Sequence, residues 1–133
     1  MKKLFSLVLC FLAMISALTI ISSANGTISP YHNNVSTTNT SFKIVEDDAV
    51  IDCSYFGYIG TTTRAEISVT LYHWIDNDWG EVVTWYDEST RYRGNFNYTI
   101  EVESGTYKVF VEYRIYGSGG DADVITYEKE LTN

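Results

Sequence analysis

The sequence has little of the chemistry that most catalytic and metal sites require. It contains two cysteines, two histidines and one proline. One cysteine and two distant histidines beyond the N-terminal segment cannot form a closed zinc site. No nucleophile-elbow motif prepares a serine for attack, and we expect His73 to be a structural residue. These absences predict a protein without catalytic residues and without a cofactor, calcium being the one ion considered below.

Basic residues are also scarce. Nine Lys and Arg stand against 17 Asp and Glu, which gives a formal net charge of −8. An acidic surface repels the phosphates of nucleic acids and disfavours binding to anionic membranes. We therefore expect no nucleic acid among the partners, and no stable membrane insertion once the N-terminal segment has been removed.

The first 24 residues have the layout of a secretory signal peptide. Two lysines precede an apolar run from Leu4 to Ile21, and Ser22-Ser23-Ala24 supplies small residues for cleavage. The alternative is a single membrane anchor, because a span needs about 18–20 apolar residues. No basic cluster follows the run to support an anchor. We therefore predict a signal peptide over residues 1–24 and a secreted, extracellular protein.

Cys53 is the one cysteine that remains beyond this segment. A secreted domain with one cysteine has no internal disulfide, so its core alone has to stabilise it. We predict that Cys53 is a buried, inert structural residue. The alternatives are an intermolecular disulfide and a reactive thiol.

The chain after residue 24 has the two-residue period of β-strands and no helical spacing. Residues 25–41, rich in Asn, Ser and Thr, predict an extended polar leader that can supply an edge strand. From residue 42 onward, alternating runs such as residues 65–71 are separated by polar turns. We predict an all-β domain over residues 42–133, an immunoglobulin-like antiparallel β-sandwich of about seven strands. A closed barrel is the alternative.

The segment Gly105-Thr106-Tyr107-Lys108-Val109 resembles the start of strand F in immunoglobulin-like domains. There the tyrosine hydroxyl bonds back to the chain upstream, a feature called the tyrosine corner. The resemblance implies a structural role for Tyr107. It stops at Val109, where antibody domains have cysteine, and at Trp74, which lies on the face opposite the apolar residues of its strand.

A second resemblance spans most of the chain after residue 24. It rests on Ile28-Ser29-Pro30-Tyr31, on Thr61-Thr62-Thr63-Arg64-Ala65-Glu66-Ile67, on Trp79 and Trp85 around Val82, and on Gly105-Thr106-Tyr107. This order is similar to that of small secreted β-sandwich proteins of Gram-positive bacteria to which no activity is assigned. The resemblance implies the fold and brings no catalytic residue.

Aromatic residues are the most informative feature. The sequence has 11 Tyr and three Trp, and all three Trp lie between residues 74 and 85. Exposed aromatic rings can stack on sugar rings or anchor a partner protein. In the alternative, Trp79 and Trp85 pack over a sheet edge or close the core. The predicted ligand-binding surface consists of Tyr72, Trp74, Trp79, Trp85 and Tyr86.

Two acidic turns are candidates for a calcium site. Asp76, Asp78 and Glu81 cluster at one turn, and Asp121 and Asp123 at another. Calcium takes six to eight oxygen ligands, and carboxylates two positions apart in a turn can converge on it. Neither turn has the EF-hand pattern, and ordinary turn chemistry is the alternative explanation of these residues.

These observations predict a secreted, non-enzymatic β-sandwich that binds a glycan or a protein at the cell surface through its aromatic residues. One alternative is a structural or assembly protein of the cell surface or extracellular matrix, joined through sheet edges. Another is a small hydrolase. Glu101 and Glu103 lie on one face of a strand about 7 Å apart, which overlaps the carboxylate spacing of inverting glycosidases.

Overall fold

A computed structural model describes residues 32–133, so the predicted signal peptide and the first part of the predicted leader lie outside the described residues. The described chain contains seven strands and is all-β, as predicted. Within it no helix is both long and apolar enough to cross a membrane. The strands are β1 (Val35–Val45), β2 (Asp48–Gly57), β3 (Thr62–Ile75), β4 (Asp78–Ser89), β5 (Arg93–Glu101), β6 (Thr106–Gly117) and β7 (Gly120–Thr132).

The strands form two separate antiparallel sheets, in the orders β1-β2-β5 and β4-β3-β6-β7. When the strands are lettered in the immunoglobulin manner, the first sheet contains A, B and E, and the second contains C, F and G. The fourth strand joins the C-F-G sheet, whereas in constant-type immunoglobulin domains it joins A, B and E. The structure confirms an immunoglobulin-like sandwich.

The core lies between the sheets and takes every second side chain of each strand. In β3 the fully buried residues alternate from Ala65 to Leu71, with Thr70 of the outer face nearly buried as well, and in β6 they alternate from Tyr107 to Ile115. Cys53 is a free cysteine buried in this core, and burial raises the pKa of its thiol. A thiol held in its neutral form is a poor nucleophile. The packing of the two inner faces therefore stabilises the domain without help from a disulfide of Cys53.

Two core tyrosines make polar contacts between the sheets. The Tyr113 hydroxyl donates to the carbonyl of Asn39 at 3.0 Å and lies 2.6 Å from the Thr40 hydroxyl. The Tyr98 hydroxyl donates to the Asp87 carboxylate at 2.6 Å. Burial raises the pKa of both phenols above the ordinary range, and the Asp87 carboxylate raises that of Tyr98 further. Both phenols are therefore neutral in the folded protein at physiological pH.

Asp123 of β7 holds the start of β1. Its buried carboxylate accepts the backbone N–H groups of Asn33, Asn34 and Val35 at 3.1, 2.7 and 2.9 Å. The fully buried Asn34 side chain donates to the carbonyl of Asp121 at 2.8 Å. Because β1 and β7 belong to different sheets, these bonds join the two layers at one end of the sandwich.

The sandwich begins earlier than residue 42, the predicted boundary between leader and domain. β1 starts at Val35 and pairs with β2 along its length, apart from an irregularity near its start. Residues 35–41 thus supply part of an edge strand, as was predicted to be possible for the polar leader, and the outward face of this strand is solvated. On the inward face the hydroxyl of Thr40 has a polar partner in Tyr113.

Substitution of Asp123 by Ala is expected to lower the free energy of unfolding by about 3 kcal/mol, because three backbone N–H groups lose their buried acceptor. Urea unfolding followed by circular dichroism measures the change. The exposed Asp121 is the matched control, and its replacement by Ala should cost less than about 0.5 kcal/mol. Equal losses in the two variants would contradict this role of Asp123.

Raising the pH above about 10, the ordinary pKa of an exposed tyrosine, is expected to destabilise the fold. The pKa values of Tyr98 and Tyr113 are higher in the folded chain than in the unfolded chain, so the unfolded chain releases these protons first. The stabilisation is thus complete below pH 10 and decreases as the pH rises beyond it. Urea unfolding at a series of pH values, with phenolate absorbance, measures the slope.

Substitution of Tyr98 and Tyr113 together by Phe should reduce this slope. The exposed Tyr58 serves as the control, and its replacement by Phe should leave the slope unchanged. If the double variant keeps the full slope, these two phenols are not its source.

Candidate functional site

The predicted aromatic residues lie on the hairpin of β3 and β4. Ile75 pairs with Asp78, which leaves Asp76 and Asn77 as a two-residue turn in which both residues have positive φ, at 53° and 65°. Two successive positive φ angles are typical of a type I′ turn, whose twist matches that of the flanking strands. Asn and Asp tolerate this conformation better than other non-glycine residues. The acidic turn thus has a conformational reason for its composition.

A β-bulge interrupts the pairing of this hairpin. Leu71 pairs with Val83, but the next residue, Tyr72, pairs with Glu81, so Val82 is left without a partner in the ladder. An unpaired residue of this kind shifts the alternation of its strand by one position. The two ends of β4 therefore direct their odd-numbered side chains to opposite faces of the sheet.

Trp85 lies on the core side of this bulge. It is half-buried, pairs with Val69 of the core, and stacks on Tyr98 of the other sheet with ring centroids 5.2 Å apart. The structure therefore separates Trp85 from the other predicted surface residues. For this residue the packing alternative describes the structure.

Trp74 and Trp79 lie on the outward face at the turn end of the hairpin. Their ring centroids are 5.1 Å apart with an angle of 64° between the planes. Lys108 of the neighbouring strand β6 extends its ammonium over both Trp79 and Tyr72, at 4.4 and 5.7 Å from the ring centroids. We refer to Tyr72, Trp74, Trp79 and Lys108 as the aromatic surface.

Tyr86 faces the same way but lies at the other end of the sheet. It is 60% exposed and pairs with Ser68, four positions before Tyr72 on β3, which corresponds to about 13 Å. Near this end the Arg64 guanidinium lies 4.0 Å from the ring centroid of Tyr116. Tyr86 is therefore outside the aromatic surface.

Sequence reasoning missed Lys108 as part of the aromatic surface. The alternation of β6 contained the signal, because Lys108 is out of phase with the buried Tyr107 and Ile115. The predicted surface residues all lie on the β3–β4 hairpin because they are close together in the sequence, whereas β6, which pairs with β3, is distant in the sequence.

The structure does not bring the candidate calcium ligands together into one cluster. Asp78 and Glu81 accept hydrogen bonds from neighbours within β4, at 2.8 Å each, and Asp123 holds the start of β1. Asp76 and Asp121 are exposed. Within residues 32–133, no group of three or more His, Cys, Asp or Glu side chains is arranged to hold a metal ion.

Tyr107 forms the contact implied by the tyrosine-corner resemblance. Its hydroxyl donates to the carbonyl of Glu103, four residues upstream, at 2.8 Å. The His73 ring stacks on the Tyr107 ring with centroids 4.4 Å apart. A Cβ atom at Gly105 would collide with the His73 imidazole, so this close approach requires a glycine. His73 thus packs as a structural residue at this end of the domain.

No protein-family model and no curated protein matches the sequence. Similar solved structures include Bacteroides uniformis beta-glucuronidase 2, with a TM-score of 0.42 and 12% identity over 74% of this chain and 13% of that chain. They also include OgpA from Akkermansia muciniphila, with a TM-score of 0.37 and 8% identity over 80% of this chain and 33% of that chain. A complex of inactive OgpA with an O-glycopeptide scores 0.36 at 9% identity, over 80% and 34% of the two chains.

This chain therefore spans a third or less of the first two of these proteins. The likeness is remote. The resemblance to small secreted proteins of Gram-positive bacteria stays a prediction.

Substitution of Trp85 by Ala is expected to lower the free energy of unfolding by about 3 kcal/mol, because it removes an indole packed between the sheets. The same substitution at Trp74, whose side chain is exposed and contacts Trp79, should cost about 1 kcal/mol or less. Chemical unfolding of the two variants under identical conditions measures the difference. A larger loss for Trp74 would contradict the assignment of their faces.

Proposed function

We propose that this protein is a secreted, non-enzymatic β-sandwich that binds glycans through the aromatic surface. The supporting observation is the contact between Trp74 and Trp79 on an outward sheet face. Single exposed aromatic residues are normal in proteins, but contiguous exposed rings indicate an interaction site. Trp74 is 42% exposed even with Trp79 against it, so ring surface remains available to a ligand.

The chemistry of the aromatic surface suits a sugar. The apolar C–H face of a pyranose stacks on an indole ring, while polar groups at the margin bond its hydroxyls. Lys108 is a donor between the rings of Tyr72 and Trp79, and the carboxylate of Glu81, opposite Tyr72, is an acceptor. Because the two indole planes meet at 64°, they form a corner in which each ring can contact a different sugar unit.

A protein partner has less support. A stable protein interface usually involves about 20–30 residues on each side. Beyond the aromatic surface, the two arginines of this sheet face are already paired within the chain, Arg64 with Glu66 at 2.7 Å and Arg114 with Glu112 at 3.0 Å. The four residues of the aromatic surface are thus far fewer than a protein interface usually involves, and they suit a ligand of a few sugar units.

Assembly through sheet edges also has less support. The bulge at Val82 interrupts β4, and β1 has an irregularity between Val35 and Thr37. On β7, the Lys129 ammonium points inward and donates to the carbonyl of Phe42 at 3.1 Å. Bulges and inward-pointing charges are the devices by which proteins prevent edge-to-edge pairing.

A hydrolase function has no added support from the carboxylates considered for it. Glu101 is the last residue of β5 and Glu103 lies beyond it, so they do not share a strand face as expected, and both are exposed. A glycosidase acid catalyst usually lies in a desolvated pocket facing the second carboxylate across the substrate. We therefore propose binding rather than hydrolysis.

Substitution of Trp74 and Trp79 together by Ala is expected to abolish glycan binding. Loss of two stacking rings should weaken the affinity by at least about tenfold. A glycan array identifies the ligand, and calorimetry on the wild type and the variant measures the affinity. The control is Tyr86→Ala, which removes an exposed ring of the same sheet face outside the aromatic surface and should leave the affinity unchanged.

Unchanged affinity in the Trp74→Ala, Trp79→Ala variant would exclude the aromatic surface. If the array is negative and a pull-down instead captures one protein that the double variant does not bind, the ligand is a protein and the glycan proposal is wrong.

A further inference from the structure

Two arginines of this acidic protein have no acidic partner. Within residues 32–133 no carboxylate oxygen lies within 4.0 Å of the Arg91 or Arg93 guanidinium, whereas Arg64 and Arg114 both have salt bridges. Lys43, Lys108 and Lys129 have no salt bridge among the described residues either, but Arg91 and Arg93 are the basic pair that lines one groove. Such a pair is available to an anion from outside.

Both arginines line a groove on the outer face of the β1-β2-β5 sheet. Neutral polar side chains line the same groove: Asn39, Ser54 and Asn95, which are neighbours across three adjacent strands. Amide and hydroxyl groups in such a row offer both donors and acceptors. The groove thus combines a positive end with a neutral hydrogen-bonding floor.

The next row along the sheet contains a carboxylate, and it has partners within the protein. Asp52 accepts hydrogen bonds from the Asn97 amide at 2.5 Å and from the Ser41 hydroxyl at 3.4 Å. These bonds hold Asp52 toward its own row, away from the arginine end of the groove.

The backbone that carries the arginines is fixed by hydrogen bonds. The backbone carbonyl of Arg91 accepts a hydrogen bond from the Tyr55 hydroxyl at 2.7 Å, and the backbone N–H group of Arg91 donates to Ser89 Oγ at 3.2 Å. The Tyr92 carbonyl accepts the N–H group of Gly57 at 2.6 Å. A ligand at this site therefore does not have to order the loop between β4 and β5, which reduces the entropic cost of binding.

The Arg93 side chain is also supported. Its guanidinium lies 5.5 Å from the ring centroid of Tyr92, and that ring meets Phe56 edge-on at 5.6 Å. A guanidinium above an aromatic ring keeps its N–H groups at the rim, where they can bind an oxyanion in bidentate fashion. Phe56 is 45% exposed and adds an apolar face beside the charge.

We propose that this groove binds a saccharide that carries one anionic substituent, a carboxylate, a sulfate or a phosphate ester. Arg91 and Arg93 bind the anion, and the row of Asn39, Ser54 and Asn95 bonds the sugar hydroxyls. The acidic remainder of the surface repels densely charged polymers, which restricts the ligand to sparse negative charge. The site lies on the opposite sheet from the aromatic surface and does not depend on the proposed function.

Titration of the ¹⁵N-labelled protein with glucose 6-sulfate, glucose 6-phosphate, glucuronate and glucose, followed by NMR, tests this proposal. We expect saturable shifts of the amides of residues 91–95 and of Ser54 with at least one of the charged sugars, and none with glucose. The identity of that sugar distinguishes the three anions. Shifts with none of them, or equal shifts with glucose, would overturn the proposal.

Substitution of Arg91 and Arg93 by Gln is expected to weaken that binding by at least about tenfold. The matched control is Arg64→Gln with Arg114→Gln, which removes the same charge from the opposite sheet and should change the affinity by less than about twofold. Equal losses in the two variants would overturn the site, because general electrostatics would then account for binding.

Two further measurements complete the test. Inorganic sulfate that binds as tightly as the charged sugar would overturn the saccharide part of the proposal. The Trp74→Ala, Trp79→Ala variant should keep full affinity for the charged sugar, so that this site and the aromatic surface succeed or fail independently.

Discussion

The burial of one face of each sheet against the other is the constraint from which the rest of the structure follows. Cys53 is a free thiol, so this packing works without its help as a cross-link. The core takes every second side chain of each strand, and the residues between them form the outer surfaces. A slip of one residue in register would exchange the two sets. The aromatic surface and the groove lined by Arg91 and Arg93 therefore depend on the register of the core. A loss of binding in a variant at either surface is informative only if the variant folds as stably as the wild type.

The alternation of apolar residues made much of this fold predictable. In residues 65–71 and 107–115 the buried positions follow the sequence pattern, apart from the outward Thr70, because the core covers one face of the central strands β3 and β6. β1 was less visible, since an edge strand buries less and its inward Thr40 is accommodated by the hydroxyl of Tyr113. A polar residue can be identified as a core residue only when its hydrogen-bond partner is known, and the partner of Thr40 is 73 positions away in the sequence.

The aromatic site shows why the remainder could not be predicted. Trp79 and Trp85 are six positions apart, an even spacing that places both on one face of a regular strand. The bulge at Val82 places them on opposite faces. A bulge is a property of two paired strands, and the consecutive valines Val82 and Val83 interrupt the alternation of the local sequence no more clearly than Trp85 and Tyr86 do. The pairing of β6 with β3 brings Lys108 beside Trp79, a contact that no local sequence pattern contains.

The net charge of the chain is likewise an incomplete guide to which anions its surface can bind. The value of −8 describes the average field that a charged partner meets as it approaches to within a Debye length, about 8 Å, of the surface. It does not describe contact, where the nearest charges dominate. Arg64 and Arg114 are paired with glutamates on the same sheet. Arg91 lies in the loop between β4 and β5, and Arg93 begins β5; the polar contacts of this loop are made by backbone and hydroxyl groups. An acidic protein can therefore exclude polyanions from its vicinity and still bind a single anionic group, because the first effect depends on the sum of the charges and the second on their arrangement.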